Sequence, residues 1–388
     1  MAEIARTLLR AFLPLFILLF MSHQLTDLVV NSYSLSHGNV VLRQFLLDKD
    51  LWKKDEQASD RVRQLEELDR RVRLYEEKIQ QSHLYMGMVV NRQNDGTAID
   101  ICDSLLFSAI RFAALKKLAY RNSAEKAWEA IRKSSKSGKW LRHPACHEGT
   151  SRDMLIGLLI ALSQEPEGEQ DVLKHFFRYL SDSSGFFGDG PMYVSYLTPG
   201  LAESFRRLAR IYPTNVMLPA IIRHSFSTLE MDVMFTARGY RAHLIALQIW
   251  IEMEIMKRYA RAGFWRGPRS ILRDIGAVLS SLTPDNLYWQ RHMWITQKLV
   301  ELDPENLFFR WLRMEAGGLN TPYTKMVMLR ELLSMPQFPS DELPKNCDRK
   351  ADYLWQRSSE EFVPFTHRCT MQFSGVDFLW MAALLVGD

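Results

Sequence analysis

Apolar residues in the last three quarters of this chain recur at the three- and four-residue spacing of one helix face, in runs separated by short polar stretches. From about residue 98 to the end the pattern predicts about a dozen amphipathic helices. They include segments near 170–181, 200–211, 216–230, 240–262, 269–281, 322–334 and 376–386. Several starts are marked by capping spacing. Asp100 with Asp103, Asn122 with Glu125, and Thr150 with Asp153 each place a cap three residues before an acid, the geometry of a capping box. "TPDN" at 283 and "DPEN" at 303 each set a capping residue before a proline at the first helical position. No alternating β-branched run is long enough for a sheet, and the best strand candidate is the short "PMYVSYLTPG", 191–200. The expected class is all-α, built of antiparallel helical hairpins.

Residues 52–82 carry a narrow apolar stripe of Val62, Leu65, Leu68, Val72, Leu74 and Ile79 on a highly charged background. One helix is expected there, as a stalk, a cover helix or a homo-oligomer contact. A turn-rich loop, "NRQNDGTAID", follows at 91–100. Further upstream the pattern changes. Arg6 and Arg10 precede eleven apolar residues from Ala11 to Met21, the order of a signal sequence. Eleven residues rise about 16 Å as a helix, short of the roughly 30 Å hydrocarbon core, although Leu8, Leu9 and a snorkelling Arg10 extend the reach. The expected organisation is a signal anchor or signal peptide at 1–30, an N-terminal extension at 31–97 and a helical domain at 98–388. A buried N-terminal helix in a cytosolic scaffold is the competing reading.

Composition narrows the partners. With 49 Lys and Arg against 45 Asp and Glu, the charge is nearly balanced and no concentrated basic stripe exists to follow a phosphate backbone, which argues against nucleic acid. Four cysteines, at 102, 146, 347 and 369, lack the spacing of a zinc or redox motif. Cys347 and Cys369 are candidates for pairing in an oxidising compartment, and Cys102 and Cys146 for buried thiols. His143 and His147 straddle a proline in a loop, so neither a metal nor another cofactor is expected. Signatures of serine hydrolases, nucleotide enzymes and zincins are missing from the sequence.

In helix count, in helices such as "DSLLFSAIRFAAL" and "GTSRDMLIGLLIAL" that begin with acids, and in "FSGVDFLWMAALL" as a closing helix, residues 98–388 resemble the six-hairpin glycosidase superfamily. The resemblance implies an (α/α) toroid with a cleft at one end, and hydrolase or lyase action on a polysaccharide. It puts carboxylates at helix N-termini in the catalytic role, with Asp103 and Asp153 opposed across the cleft as glycoside hydrolysis requires. Each has a competing assignment as a helix cap. His147, Arg152, Arg238, Tyr240, His243 and Asp377 are the candidate substrate contacts, the "TSRD" turn being cap and site together. Tyr240 and His243, three apart, share a helix face. The alternative is a non-catalytic helical envelope protein that binds a glycan or a protein. Either version is extracytoplasmic, in a periplasmic setting and tethered to the inner membrane.

A charged segment followed by an apolar one generates the first prediction. A reporter fused after residue 90 is expected to be active on the far side of the membrane and to fractionate with membranes. Activity confined to the cytosol would exclude export.

Overall fold

The computed structural model describes residues 57–136, 138–166, 168–185, 187, 197–211, 229–235, 240–262, 284–345 and 370–386. The apolar segment at 11–21, the strand candidate at 191–196, the helix expected at 269–281, Arg238, Cys347 and Cys369 lie outside them. Among the described residues no helix is long and apolar enough to cross a membrane.

The described residues are mostly helical. In chain order the helices are α1 (Gln57–Ser82), α2 (Ser104–Lys117), α3 (Arg121–Arg132), α4 (Arg152–Ser163), α5 (Glu169–Asp182), α6 (Pro199–Ile211), α7 (Leu229–Phe235), α8 (Tyr240–Arg261), α9 (Pro284–Leu302), α10 (Leu307–Ala316), α11 (Pro322–Ser334) and α12 (Val376–Val386). The expectation of no sheet is corrected by eight short strands among the described residues, none longer than five residues. β1 (Leu84–Tyr85) pairs with β2 (Met88–Val89). β3 (Asn91–Gln93) lies between β4 (Ala98–Ile99) and β8 (Met371–Gln372). β5 (Ser135–Lys136), β6 (Lys139–His143) and β7 (Cys146–Gly149) form the third antiparallel set. Strands of two to five residues span too few positions to show a period, and the "loop" at 91–100 is in fact a hairpin.

At the centre stand α2 and α4. Every residue of α2 from Ser104 to Leu115 is buried, and so is every residue of α4 from Met154 to Ser163. Neither has a wet face, so other helices must enclose them. They meet at Gly157, where an added methyl would lie 2.8 Å from the Cα of Leu106. Two further helices help complete the surround: α8 packs on α4, α12 on α2, and Trp250 of α8 meets Trp380 of α12 edge-on with centroids 4.5 Å apart. At the C-terminal end of α4, buried Arg258 of α8 donates to Leu162 O at 2.8 Å and forms a two-point pair with Glu169 of α5 at 2.6 and 2.7 Å. One guanidinium thus satisfies a terminal carbonyl and joins three helices.

Helix α1 belongs to this core. Leu68, Val72, Tyr75 and Ile79 are buried, whereas Val62 and Leu65, expected on the same stripe, are 55% and 38% exposed. Its charges are engaged as well. Arg71, Tyr75, Arg70 and Lys78 donate in turn to the carbonyls of Phe338, Pro339, Ser340 and Asp341, and Glu76 holds Arg111 of α2 in a buried pair at 2.5 and 2.9 Å. The core continues unbroken across residue 98.

Helix starts depart from the expected boxes. Asp100 is in the left-handed region without a capping bond, and Asp103 precedes α2 without one. Asn122 lies inside a helix that begins at Arg121. Ser151, not Thr150, caps α4 by accepting from Met154 N at 3.5 Å. Asn306 caps α10 in place of Asp303, accepting from Phe308 N and Phe309 N, and a true capping box forms at Thr321 and Thr324. A second correction concerns sulfur: Cys102 and Cys146 are joined by a disulfide rather than being free thiols. It ties the approach to α2 to the strand that leads into α4.

The contact at Gly157 is a sharp test of this packing. Gly157→Ala sets a methyl against backbone that cannot swing away, and is expected to lower unfolding free energy by about 1–3 kcal/mol in urea titrations. An unchanged midpoint would mean the two helices are not in that contact.

Candidate functional site

Because α4 is apolar from Met154 to Leu162, its charged residues are confined to the first turn, and that turn opens onto a cavity of about 340 Å³. Arg152, Asp153 and Ile156 come from α4, Thr198 and Leu201 from the start of α6, Leu229 and Asp232 from α7, and Arg241, Leu244, Ile245 and Gln248 from the first turns of α8. The leucines and isoleucines make an apolar wall. Arg152 and Arg241 are exposed at the rim, Asp153 and Asp232 are half-buried, and Thr198 and Gln248 are buried.

Asp153 is set apart electrostatically. Burial pushes its carboxyl above the usual aspartate range, and Arg152 and Arg142 pull against that shift without cancelling it. The result is an acid that keeps its proton to higher pH than an exposed aspartate, beside the free amides of a helix N-terminus.

Beneath the cavity lies a network that the helix pattern conceals. Gln248 Nε2 donates to Glu252 Oε1 at 2.8 Å, one turn deeper along α8. Glu252 is fully enclosed: Arg291 Nη1 lies 2.8 Å and His292 Nε2 3.0 Å from its Oε2. Arg291 also pairs with Glu230 of α7. Burial works to raise the Glu252 pKa, but Arg291, His292 and Gln248 together outweigh it and hold the carboxyl at about 2. The carboxylate is seated against the start of α6, where a methyl on Gly200 would fall 1.8 Å from Oε1. Only glycine leaves that space.

The residues singled out from the sequence fall into different places. Arg152 and Asp153 line the cavity. Asp103 does not: it sits at the start of α2, outside the lining, and the aspartate that shares the cavity with Asp153 is Asp232. Nor is this the largest hollow, since one of about 870 Å³ lies along α3 between Phe112, Trp128 and Arg132. His243 is buried in the core with its ring 5.0 Å from that of Phe309. The side chains of His147 and Tyr240, like Arg238, fall outside the described part. His143 accepts from Ala145 N through Nδ1, which makes Nε2 the donor to Tyr85 O at 3.1 Å.

Asp377 is buried in α12, away from the cavity. Its Oδ1 accepts from Phe378 N at 3.0 Å, its Oδ2 has no hydrogen-bond partner, and burial raises its pKa to about 7. Asp232, Arg241, Gln248 and Glu252 were missed. A signal for two of them was present, since a glutamine and a glutamate four apart interrupt the apolar run "HLIALQIWIEMEI" on a helix long enough to be central. Asp232 carried none.

Compared with known proteins, the chain matches no family model, no curated protein and no solved structure.

Asp377 supplies a prediction with a definite sign. Its folded pKa is raised above the unfolded value, so it costs nothing at low pH and destabilises the fold progressively as pH climbs from about 4 through about 7. Buried histidines such as His83, held at about 4 mainly by burial, act in the opposite direction over an overlapping range, so the difference between wild type and Asp377→Asn isolates the effect. The variant is expected to gain on wild type by about 4 kcal/mol between pH 4 and pH 8 in denaturant titrations. A constant difference would show that Asp377 does not titrate in that window.

Proposed function

We propose that this is an exported, glycan-active hydrolase whose chemistry is done by Asp153 and Asp232 in the cavity at the start of α4. The observation that carries the reading is that two carboxylates line one cavity, one of them shifted by burial toward keeping its proton to higher pH. Glycoside hydrolysis needs that asymmetry. Asp153 as the acid gives its proton to the leaving glycosidic oxygen, and Asp232 as the base takes a proton from the water that attacks the anomeric carbon. Arg152 and Arg241 at the rim suit an acidic sugar, and Thr198 and Gln248 offer hydrogen bonds to hydroxyls.

Further support comes from the packing and from sulfur chemistry. The central helices contact one another in succession, α2 with α4, α4 with α8, α8 with α10 and α12 with α2, and Phe308 of α10 meets Trp380 of α12. Contacts of this kind support the reading of an (α/α) toroid. The Cys102–Cys146 disulfide fits an oxidising, extracytoplasmic compartment, in keeping with the charged and apolar segments at the N-terminus, which would serve as the membrane tether.

A panel of neutral and uronate-containing polysaccharides tests the reading. Asp153→Asn is expected to lower turnover by about 10²–10⁴-fold while leaving the melting transition in place, and Asp232→Asn to do the same. Wild-type activity should fall as pH rises through the raised Asp153 pKa. Arg152→Gln should move that limb upward, because Arg152 lowers the value. Unsaturated sugar ends would convert the assignment to a lyase. Binding without turnover, unaffected by either asparagine variant, would identify a non-catalytic glycan-binding protein.

A further inference from the structure

Gln248 is one of two buried polar residues on the cavity wall, 2% exposed like Thr198. A glutamine amide can present either its oxygen or its nitrogen, and here the choice is made by its neighbour. Glu252 is an ionised carboxylate and can only accept hydrogen bonds. The group facing it at 2.8 Å must therefore be the Gln248 NH₂, which turns the carbonyl oxygen away from Glu252. Rotation of Glu252 itself is blocked from several sides. Arg291 and His292 fix Oε2, Oε1 occupies the space a side chain at position 200 would take, and Arg291 is anchored in turn by Glu230.

We infer that Gln248 is the residue that reads the bound ligand, its carbonyl locked toward the cavity to accept from a hydroxyl of a sugar, with Glu252 as the positioning residue that sets the lock. Glu252 is not part of the cavity lining. Its place in a buried network that ends at the cavity floor is explained by that duty, since an apolar side chain would have filled the same space without the desolvation cost. The sugar-hydroxyl assignment rests on the glycan reading of the cavity, whereas the amide orientation does not. A site built around a fixed acceptor selects strongly against ligands that lack the matching donor.

Two measurements separate these parts. In the full chain labelled with ¹⁵N, the Gln248 NH₂ signals are identified by their loss in Gln248→Met, an unbranched apolar replacement. Those protons are expected to exchange with water at least tenfold more slowly than exposed glutamine amides, equally at pH 5 and pH 8. Glu252→Gln should bring the rate toward the exposed value with the far-ultraviolet circular dichroism unchanged. Fast exchange in wild type would place the nitrogen in the cavity and overturn the inference, and this arm holds even if Glu252→Gln fails to fold. In the second measurement glucuronate, glucose and 2-deoxyglucose are titrated calorimetrically. Gln248→Met is expected to weaken binding of glucuronate about tenfold. Equal binding by wild type and Gln248→Met refutes the reading role. If none of the sugars binds wild type while exchange is slow, the glycan assignment fails and the locked acceptor stands.

Discussion

The burial of α4 on every side is the constraint from which the remaining architecture follows. Ten successive residues, Met154 to Ser163, have no exposed face, and a fully buried leucine or isoleucine contributes roughly 1.5–3 kcal/mol only when neighbours surround it completely. That requirement draws α2 to within backbone contact at Gly157 and brings α8 along another side. It also leaves the helix with two polar ends. The C-terminal end is closed by Arg258, and the N-terminal end opens to the cavity. The position of the candidate site is thus a by-product of packing a helix that has no wet side.

Buried charge is used in this protein to join elements rather than to add bulk stability. Glu76–Arg111 ties α1 to α2, Glu169–Arg258 ties α5 to α8, and the Glu230–Arg291–Glu252–His292 group connects α7, α8 and α9. Removing one member of such a set strands another in a medium of low polarity, so these pairs tolerate loss poorly even where their net contribution is small. The third group differs from the first two in reaching a cavity through Gln248. Its carboxylate stays charged despite complete burial because two cationic or donor neighbours and an amide converge on it. Asp377, with one backbone bond and little else, goes the other way. The two acids show how partners, not depth, decide a buried carboxyl's state.

Local geometry at the site depends on short pieces of sheet. The β6–β7 hairpin delivers the chain to Ser151, and the disulfide from Cys146 to Cys102 holds that hairpin against the turn before α2. Asn91, on β3, accepts from Ser374 N and donates to Asp100, bringing the starts of α2 and α12 to one corner. These strands take up very little of the chain, yet they position the helix starts that carry the polar residues.

Helix existence and extent were written in the sequence: the spans expected at 322–334 and 376–386 recur as Pro322–Ser334 and Val376–Val386, and 200–211 differs by one residue, because a sustained 3.6-residue period belongs to each segment alone. The polar turn at Arg152 and Asp153 was equally legible, since an apolar helix can hold its charges only at its ends. Caps were less so. Whether Thr150 or Ser151 accepts from the first amides depends on a fraction of a turn fixed by the hairpin before it. Which acid shares a cavity with Asp153 could not be read at all: Asp103 and Asp232 look alike in sequence, and only the packing of α7 and α8 beside α4 brings Asp232 in while leaving Asp103 out. The same holds for Gln248 and Glu252, whose spacing announced a shared helix face but not what that face would meet. Periodicity is a property of one element, whereas a site is made by several, and their meeting is decided by packing across long separations in the chain.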